Sequence, residues 1–217
     1  MIEKVKNVKS FMTLSEMLEE KKNRPKSKFL WSGIKEKSFG LVFGPSKSGK
    51  TIFCENLGMK IALGADEYMG YELEGVPKKV LFVGLEEFWE SRAERNDLQI
   101  EELSEDQQEL VSENFLVQPI DFISKINTSN DWNELEKMIL ESKAEVVFID
   151  SITRMNSGKL ENSSDAEILM QKLRAICYKA GVTLICIHHT PKMGDRIINM
   201  DSIKGQYLHR SRILQLL

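Results

Sequence analysis

The sequence holds no apolar run long enough to cross a bilayer, and its charged start, MIEKVKNVKS, lacks the layout of a secretory signal. A soluble cytoplasmic protein with no membrane partner is expected. Cysteine is scarce: Cys54, Cys177 and Cys186 are odd in number and form no C-x-x-C pair, so they read as small core residues in a reducing compartment. An excess of one charge is missing as well. The formal net charge of −3 excludes a global nucleic-acid footprint. Internal repeats and low-complexity segments are absent too. What remains is 217 residues of ordinary apolar content, enough for one α/β domain with a sizeable core.

Locally the charge is uneven. The stretch KKNRPKSK (Lys21 to Lys28) is basic, and the segment after His189 carries Lys192, Arg196, Lys204, Arg210 and Arg212 against Asp195 and Asp201. A solvated face is the competing reading of both clusters.

The most informative string is GPSKSGKT, Gly44 to Thr51, behind the apolar run FGLVF and ahead of the helical-looking TIFCENLGMKIALG. Its spacing is G-x-x-x-x-G-K-S/T, the phosphate-binding P-loop. An ordinary Gly/Ser turn could hold the same letters, but the strand before and the helix after favour the P-loop. Gly44 and Gly49 let the backbone curl so that successive N–H groups face a phosphate, reinforced by the helix N-terminus. Lys50 would reach the β- and γ-phosphates, and Thr51 would offer its hydroxyl to Mg²⁺. The nucleotide-binding stretch is taken as Gly44, Pro45, Ser46, Lys47, Ser48, Gly49, Lys50, Thr51 and Ile52, with Lys47 and Ser48 facing solvent.

The rest of the chain alternates strands and helices. A short helix capped by Thr13 and Glu16 precedes the core, and RPKSK breaks it. The P-loop helix should end near Gly64. VPKKVLFVGLEE supplies a turn and a buried strand, EELSEDQQEL an exposed helix, and NFLVQP a short strand. SNDWNELEKMILESKA fits a helix with Trp132, Leu135 and Ile139 on one face. EVVFID is a second buried strand. SSDAEILMQKLRAICYKAG is a helix with Ser164 and Glu167 as capping box, Leu169, Leu173 and Ile176 inward, and Gly181 at its end. VTLICIHH is the third buried strand. The expected fold is α/β, a mostly parallel sheet with helices on both faces.

Ligands of such sheets bind at the C-terminal strand ends. There stand the P-loop, Glu86 and Glu87, Asp150, and His188 and His189. VVFID matches a Walker B strand whose Asp150 holds Mg²⁺ through its water shell, against the alternative that Asp150 only caps the next turn. Ser151 follows it, so a water-activating acid must come from elsewhere. Glu86 is the better candidate and Glu87 the spare; two exposed loop acids are the competing reading. Adjacent strand residues point to opposite faces, so His188 and His189 are poor partners for one zinc ion. One should face the phosphates and the other a packed helix. GTPases are set aside because N-K-x-D is missing, ParA-type ATPases because Pro45 replaces their extra lysine, and typical AAA+ proteins because FIDS lacks the Asp-Glu pair.

The ordered motifs GPSKSGKT, ALGADEYMGYELEGVPKKVLFVGLEE, VVFIDSITRM and LICIHHTPK resemble the RepA-type branch of the RecA/DnaB-like ATPases, the hexameric plasmid and phage replicative helicase group. The resemblance runs from about Phe29 to the C-terminus, leaving residues 1–28 as an N-terminal helix and basic linker. It implies a RecA-like P-loop NTPase fold over 29–217, with ATP and Mg²⁺ as cofactors. It makes Lys50 and Thr51 the Walker A pair, Asp150 the Walker B aspartate, Glu86 the water-activating glutamate and His189 the γ-phosphate sensor, so that Lys50, Glu86, Asp150 and His189 are the catalytic set and Thr51 and Asp150 the metal ligands. Where the family carries an Arg-Gly-Ser-like segment this chain has SIKGQYLHRS. Lys204 matches its arginine position and becomes the candidate finger acting on a neighbouring subunit, with Lys192 as second candidate. The apolar end ILQLL reads as the start of another core strand, so either the core is truncated or the fold is closed in an unusual way.

The implied activity is ATP hydrolysis driving a helicase or recombination motor on single-stranded DNA, with self-association into a ring, of six subunits by that resemblance. An ATP-dependent assembly switch or recombination accessory without unwinding is the alternative. A small-molecule kinase is weaker, since no arginine-rich lid or acceptor pocket is recognisable. The loops RMNSGKLENSSD and PKMGDRIINMDSIKG, which should meet DNA, lack the aromatics of a stacking platform, so binding should be phosphate-dominated.

Overall fold

The computed structural model describes residues 11–24, 28–155, 163–190 and 212–215. Helix α1 (Leu14–Asn23) comes first, followed by a hairpin of β1 (Phe29–Trp31) and β2 (Ile34–Lys35). The P-loop strand β3 (Phe39–Pro45) leads into α2 (Lys50–Leu63), and a second hairpin, β4 (Glu67–Tyr68) with β5 (Tyr71–Glu72), folds back beside it. Next come β6 (Val80–Gly84), α3 (Trp89–Ile100), α4 (Glu105–Asn114), β7 (Phe115–Val117), α5 (Ser129–Ser142), β8 (Val146–Asp150), α6 (Ser163–Ala180), β9 (Thr183–Thr190) and β10 (Arg212–Gln215).

The six strands β10-β3-β9-β8-β6-β7 form one sheet in that order, and each neighbouring pair is parallel. The central strands are the ones the sequence pattern marks as buried. β3, β6, β8 and β9 are continuous apolar runs, which only a sheet covered on both faces can bury. Strand alternation then sorts each run into two layers. Leu41, Phe43, Leu81, Val83, Val147, Ile149, Leu184 and Cys186 pack with Leu135 and Ile139 of α5 and Leu169, Leu173 and Ile176 of α6. Val42, Val80, Phe82, Val146, Phe148, Ile185 and Ile187 pack with Cys54, Leu57, Ile61 and Ala62 of α2 and with Trp31. Each such fully buried large side chain contributes about 1.5–3 kcal/mol, so the two layers fix the register of the strands and with it the line of strand ends.

Several local expectations hold. Thr13 and Glu16 form the capping box of α1, and α2 ends on Gly64. The apolar end RILQ is a strand beside β3. The three cysteines are free and buried. Among the described residues no helix is long and apolar enough to cross a membrane.

Other expectations need correction. The helix predicted over EELSEDQQEL starts only at Glu105, because Ser104 and Gln107 form its capping box and leave Glu101 to Leu103 outside. α6 is already helical at Ser163, one residue ahead of the expected start. The two hairpins and α3 were not anticipated, their segments being short or strongly polar. α1 buries none of its residues.

Candidate nucleotide site

The P-loop leaves β3 and enters α2 through two left-handed residues, Lys47 (φ 66°) and Gly49 (φ 81°). Gly49 adopts that conformation without strain because it lacks a Cβ. Being the N-cap residue, it also offers α2 no side-chain cap, so the first-turn N–H groups are not taken by a capping side chain. Ser46, Lys47 and Ile52 are exposed, and Ser48 is partly so. Lys50 is 2% exposed and folds back, donating from Nζ to the Pro45 carbonyl at 2.6 Å, with the Ser48 hydroxyl at 3.4 Å. Burial lowers its pKa, opposed by the Asp150 and Glu86 charges.

Thr51 Oγ1 donates to Asp150 Oδ2 at 2.5 Å, joining the start of α2 to the end of β8. Asp150 is 5% exposed, and burial raises its pKa. It does not cap the turn that follows, since Ser151 takes that place by accepting from the Thr153 N–H. Asp150 Oδ1 is buried with no hydrogen-bond partner among the described residues.

Glu86 stands just beyond β6. Its Oε1 accepts from Ser151 Oγ at 2.6 Å and Thr153 Oγ1 at 2.5 Å, and its Oε2 meets His189 Nε2 at 2.8 Å. The His189 hydrogen bond, with those from Ser151 and Thr153, lowers the Glu86 pKa to about 2. Glu86, Asp150 and His189 bring their ligand atoms within 4.8 Å of one another. His188, on the opposite face of β9 by alternation, has its pKa lowered to about 4 by burial.

Glu87, the spare acid, faces elsewhere: both of its oxygens bind Arg95 at 2.5 Å. Lys50, Thr51, Glu86, Asp150 and His189 therefore share one cluster, and Glu87 does not. Lys192 and Lys204 lie outside the described residues, as do Arg196 and most of both loops expected to meet DNA. Thr153, Glu55, Arg92, Arg95 and Gln118 join this region with no motif to mark them, and Ser151, legible only as the neighbour of Asp150, is a donor to Glu86. Two signals pointed to the buried ions: an acid inside the apolar stretch of α2, and an R-x-x-R spacing shortly after the paired glutamates.

These residues fit Mg²⁺ and a nucleoside triphosphate. An uncapped helix N-terminus and a lysine folded onto its own loop suit phosphate oxygens, and a buried aspartate oxygen without a partner suits a cation's shell.

Fold and site together define a P-loop ATPase of the RecA/AAA+ superfamily, with a RecA-like parallel sheet. The family described as an AAA domain matches residues 8–195, and the chain belongs to that family. The match comes without the Asp-Glu pair of typical AAA+ proteins: Ser151 follows Asp150, and a glutamate from the end of β6 stands against Ser151. No curated protein matches the chain. Among solved structures the chain is similar to a KaiC-like protein from the hyperthermophilic archaeon Pyrococcus horikoshii OT3, at 24% identity over 77% of this chain and 71% of that one, with a TM-score of 0.49.

Proposed function

We propose that this ATPase is a RepA-type motor working on single-stranded DNA, with residues 29–217 as the ATPase core and 1–28 as helix and linker. The observation that carries the reading is the contact of Glu86 with His189 beside the Thr51–Asp150 pair, an acid and a polar sensor brought in from two other strands. In this reading Lys50 holds the β- and γ-phosphates, and Thr51 and Asp150 hold Mg²⁺. Bound Mg²⁺ and ATP supply the electrophilic phosphoryl group and neutralise its developing charge. Glu86 takes the proton of the attacking water on a carboxylate oxygen. The bonds from His189, Ser151 and Thr153 lower its pKa and make it a weak base in this arrangement.

Arg92 and Arg95, which follow the paired glutamates, are engaged by Glu55, Glu87 and Gln118, and Arg154, beside Thr153, is exposed. The reading includes a ring, taken as a hexamer, in which a neighbour lends a cation, with Lys204 preferred and Lys192 second.

ATP turnover measured with and without single-stranded DNA tests the reading. DNA should stimulate the rate, and mixing Lys50→Ala with Lys204→Ala subunits should restore part of it. Equal rates, together with no DNA binding at low salt, would remove the DNA motor and leave the assembly switch.

A further inference from the structure

Glu86 and Glu87 are neighbours in a turn, yet they share no partner. Arg95 meets Glu87 fork to fork, Nη1 to Oε1 and Nη2 to Oε2, each at 2.5 Å. The same guanidinium meets Glu55, Nε to Oε2 at 2.7 Å and Nη2 to Oε1 at 2.8 Å. Glu55 is fully buried and lies one helical turn beyond Thr51, on the same face of α2. One planar cation therefore ties the helix bearing Lys50 and Thr51 to the turn bearing Glu86.

A second arginine backs the first. Arg92, 2% exposed, lies with Nε 3.5 Å from Glu55 Oε1 and donates from Nη1 to Gln118 Oε1 at 2.9 Å. The Gln118 amide in turn brackets Gly84, accepting from its N–H at 3.1 Å and donating to its carbonyl at 2.7 Å. The end of β6 is thus held from behind. Phe88 gives α3 no side-chain cap, so the turn after β6 is held by the Leu85 N–H, which donates to the Asp150 carbonyl at 2.5 Å, and by the side-chain bonds of Glu86 and Glu87.

We propose that Arg95 is a positioning residue for ATP hydrolysis: by binding Glu87 and Glu55 at once, it fixes the turn so that Glu86, not Glu87, faces Thr51, Asp150 and Ser151. The proposal rests on the reading of Glu86 as the base. Two adjacent carboxylates compete for one place, and the clamp removes one of them from the competition. Lysine is a poor substitute, because a point charge cannot hold two carboxylates bidentately in one plane. Misplacement of a reacting group by about 1 Å costs up to roughly 100-fold in rate, so a loosened turn should appear in turnover before it appears in binding.

The decisive variant is Glu87→Gln. It loosens the turn but leaves the Arg95–Glu55 pair intact, so no buried charge loses its partner. Purified full-length protein should keep its Mg²⁺·ATP thermal shift and hold KM within about twofold, while kcat falls roughly 10- to 100-fold. Arg95→Lys should fall between wild type and Glu87→Gln. Arg95→Ala, which leaves Glu55 its pairing with Arg92, should match Glu87→Gln. Glu86→Gln is measured in parallel. If it is inactive while Glu87→Gln turns over like wild type, the positioning role is overturned alone, and a lowered melting temperature at unchanged kcat has the same meaning. If Glu86→Gln itself turns over like wild type, the base reading falls and this proposal with it.

Discussion

Glu86 Oε2 and His189 Nε2 lie 2.8 Å apart across 103 residues of chain. Their strands are not neighbours, since β8 runs between β6 and β9. The pair therefore bridges over the strand that ends in Asp150, and the parallel sheet brings acid, imidazole and buried aspartate into one cluster.

Glu86→Gln should retain nucleotide binding and lose about 10²–10⁴-fold in turnover, because an amide cannot accept water's proton. His189→Ala should lose less, and its rate should respond to pH differently, since the largest of the bonds that depress the Glu86 pKa is gone. Steady-state kinetics from pH 5 to 9 on both variants checks this. Wild-type turnover by Glu86→Gln would leave the cluster without a base.

Lys50→Ala should abolish the thermal shift produced by ATP with Mg²⁺, because the lysine is the charge that faces the β- and γ-phosphates. Differential scanning fluorimetry with and without nucleotide provides the comparison. An unchanged shift in the variant would contradict phosphate binding by this loop.

Stability should fall as pH drops from about 6.5 towards 4, through His188. Its ordinary value is 6.5, and burial first, then the charges of His189 and Lys50, lower it to about 4 in the folded chain. Between those values the unfolded chain binds the extra proton, so stability is present above pH 6.5 and lost on the way down. The full shift corresponds to at most roughly 3 kcal/mol. Glu86 and Glu74, both lowered to about 2, contribute in a separate window below their ordinary value of 4.5. Urea midpoints at pH 7 and pH 4.5 should converge in His188→Asn relative to wild type; equal pH dependence in both would contradict the assignment.

Gly84→Ala should destabilise the fold by about 2 kcal/mol or more through overpacking. A Cβ there would sit 1.2 Å from Arg92 Nη2, so the guanidinium, bonded to Gln118 and paired with Glu55, would have to move. Gly84 does not have a positive φ, so no backbone strain adds to the clash. A Gly84→Ala melting temperature equal to that of wild type would show that Arg92 yields.

The sequence by itself determined the P-loop, the buried strands and most of the helices, because each is written in local chemistry. A glycine spacing, an apolar run, or a capping pair such as Thr13 and Glu16 needs nothing distant to be read. Alternation along β3, β6, β8 and β9 also fixed which residues face each helical layer. The neighbour of Asp150 was legible as Ser151, and so was the need for an acid from elsewhere. Of the two adjacent glutamates the motif favours Glu86, and only the folded chain shows what each touches: Glu86 meets Ser151, Thr153 and His189, while Glu87 turns to Arg95, which in turn binds Glu55, buried on α2. Ion pairs between distant segments leave no periodicity in a sequence. They arise only when the sheet order has set the strand ends side by side, where burial strengthens each pairing and makes each unpaired charge costly.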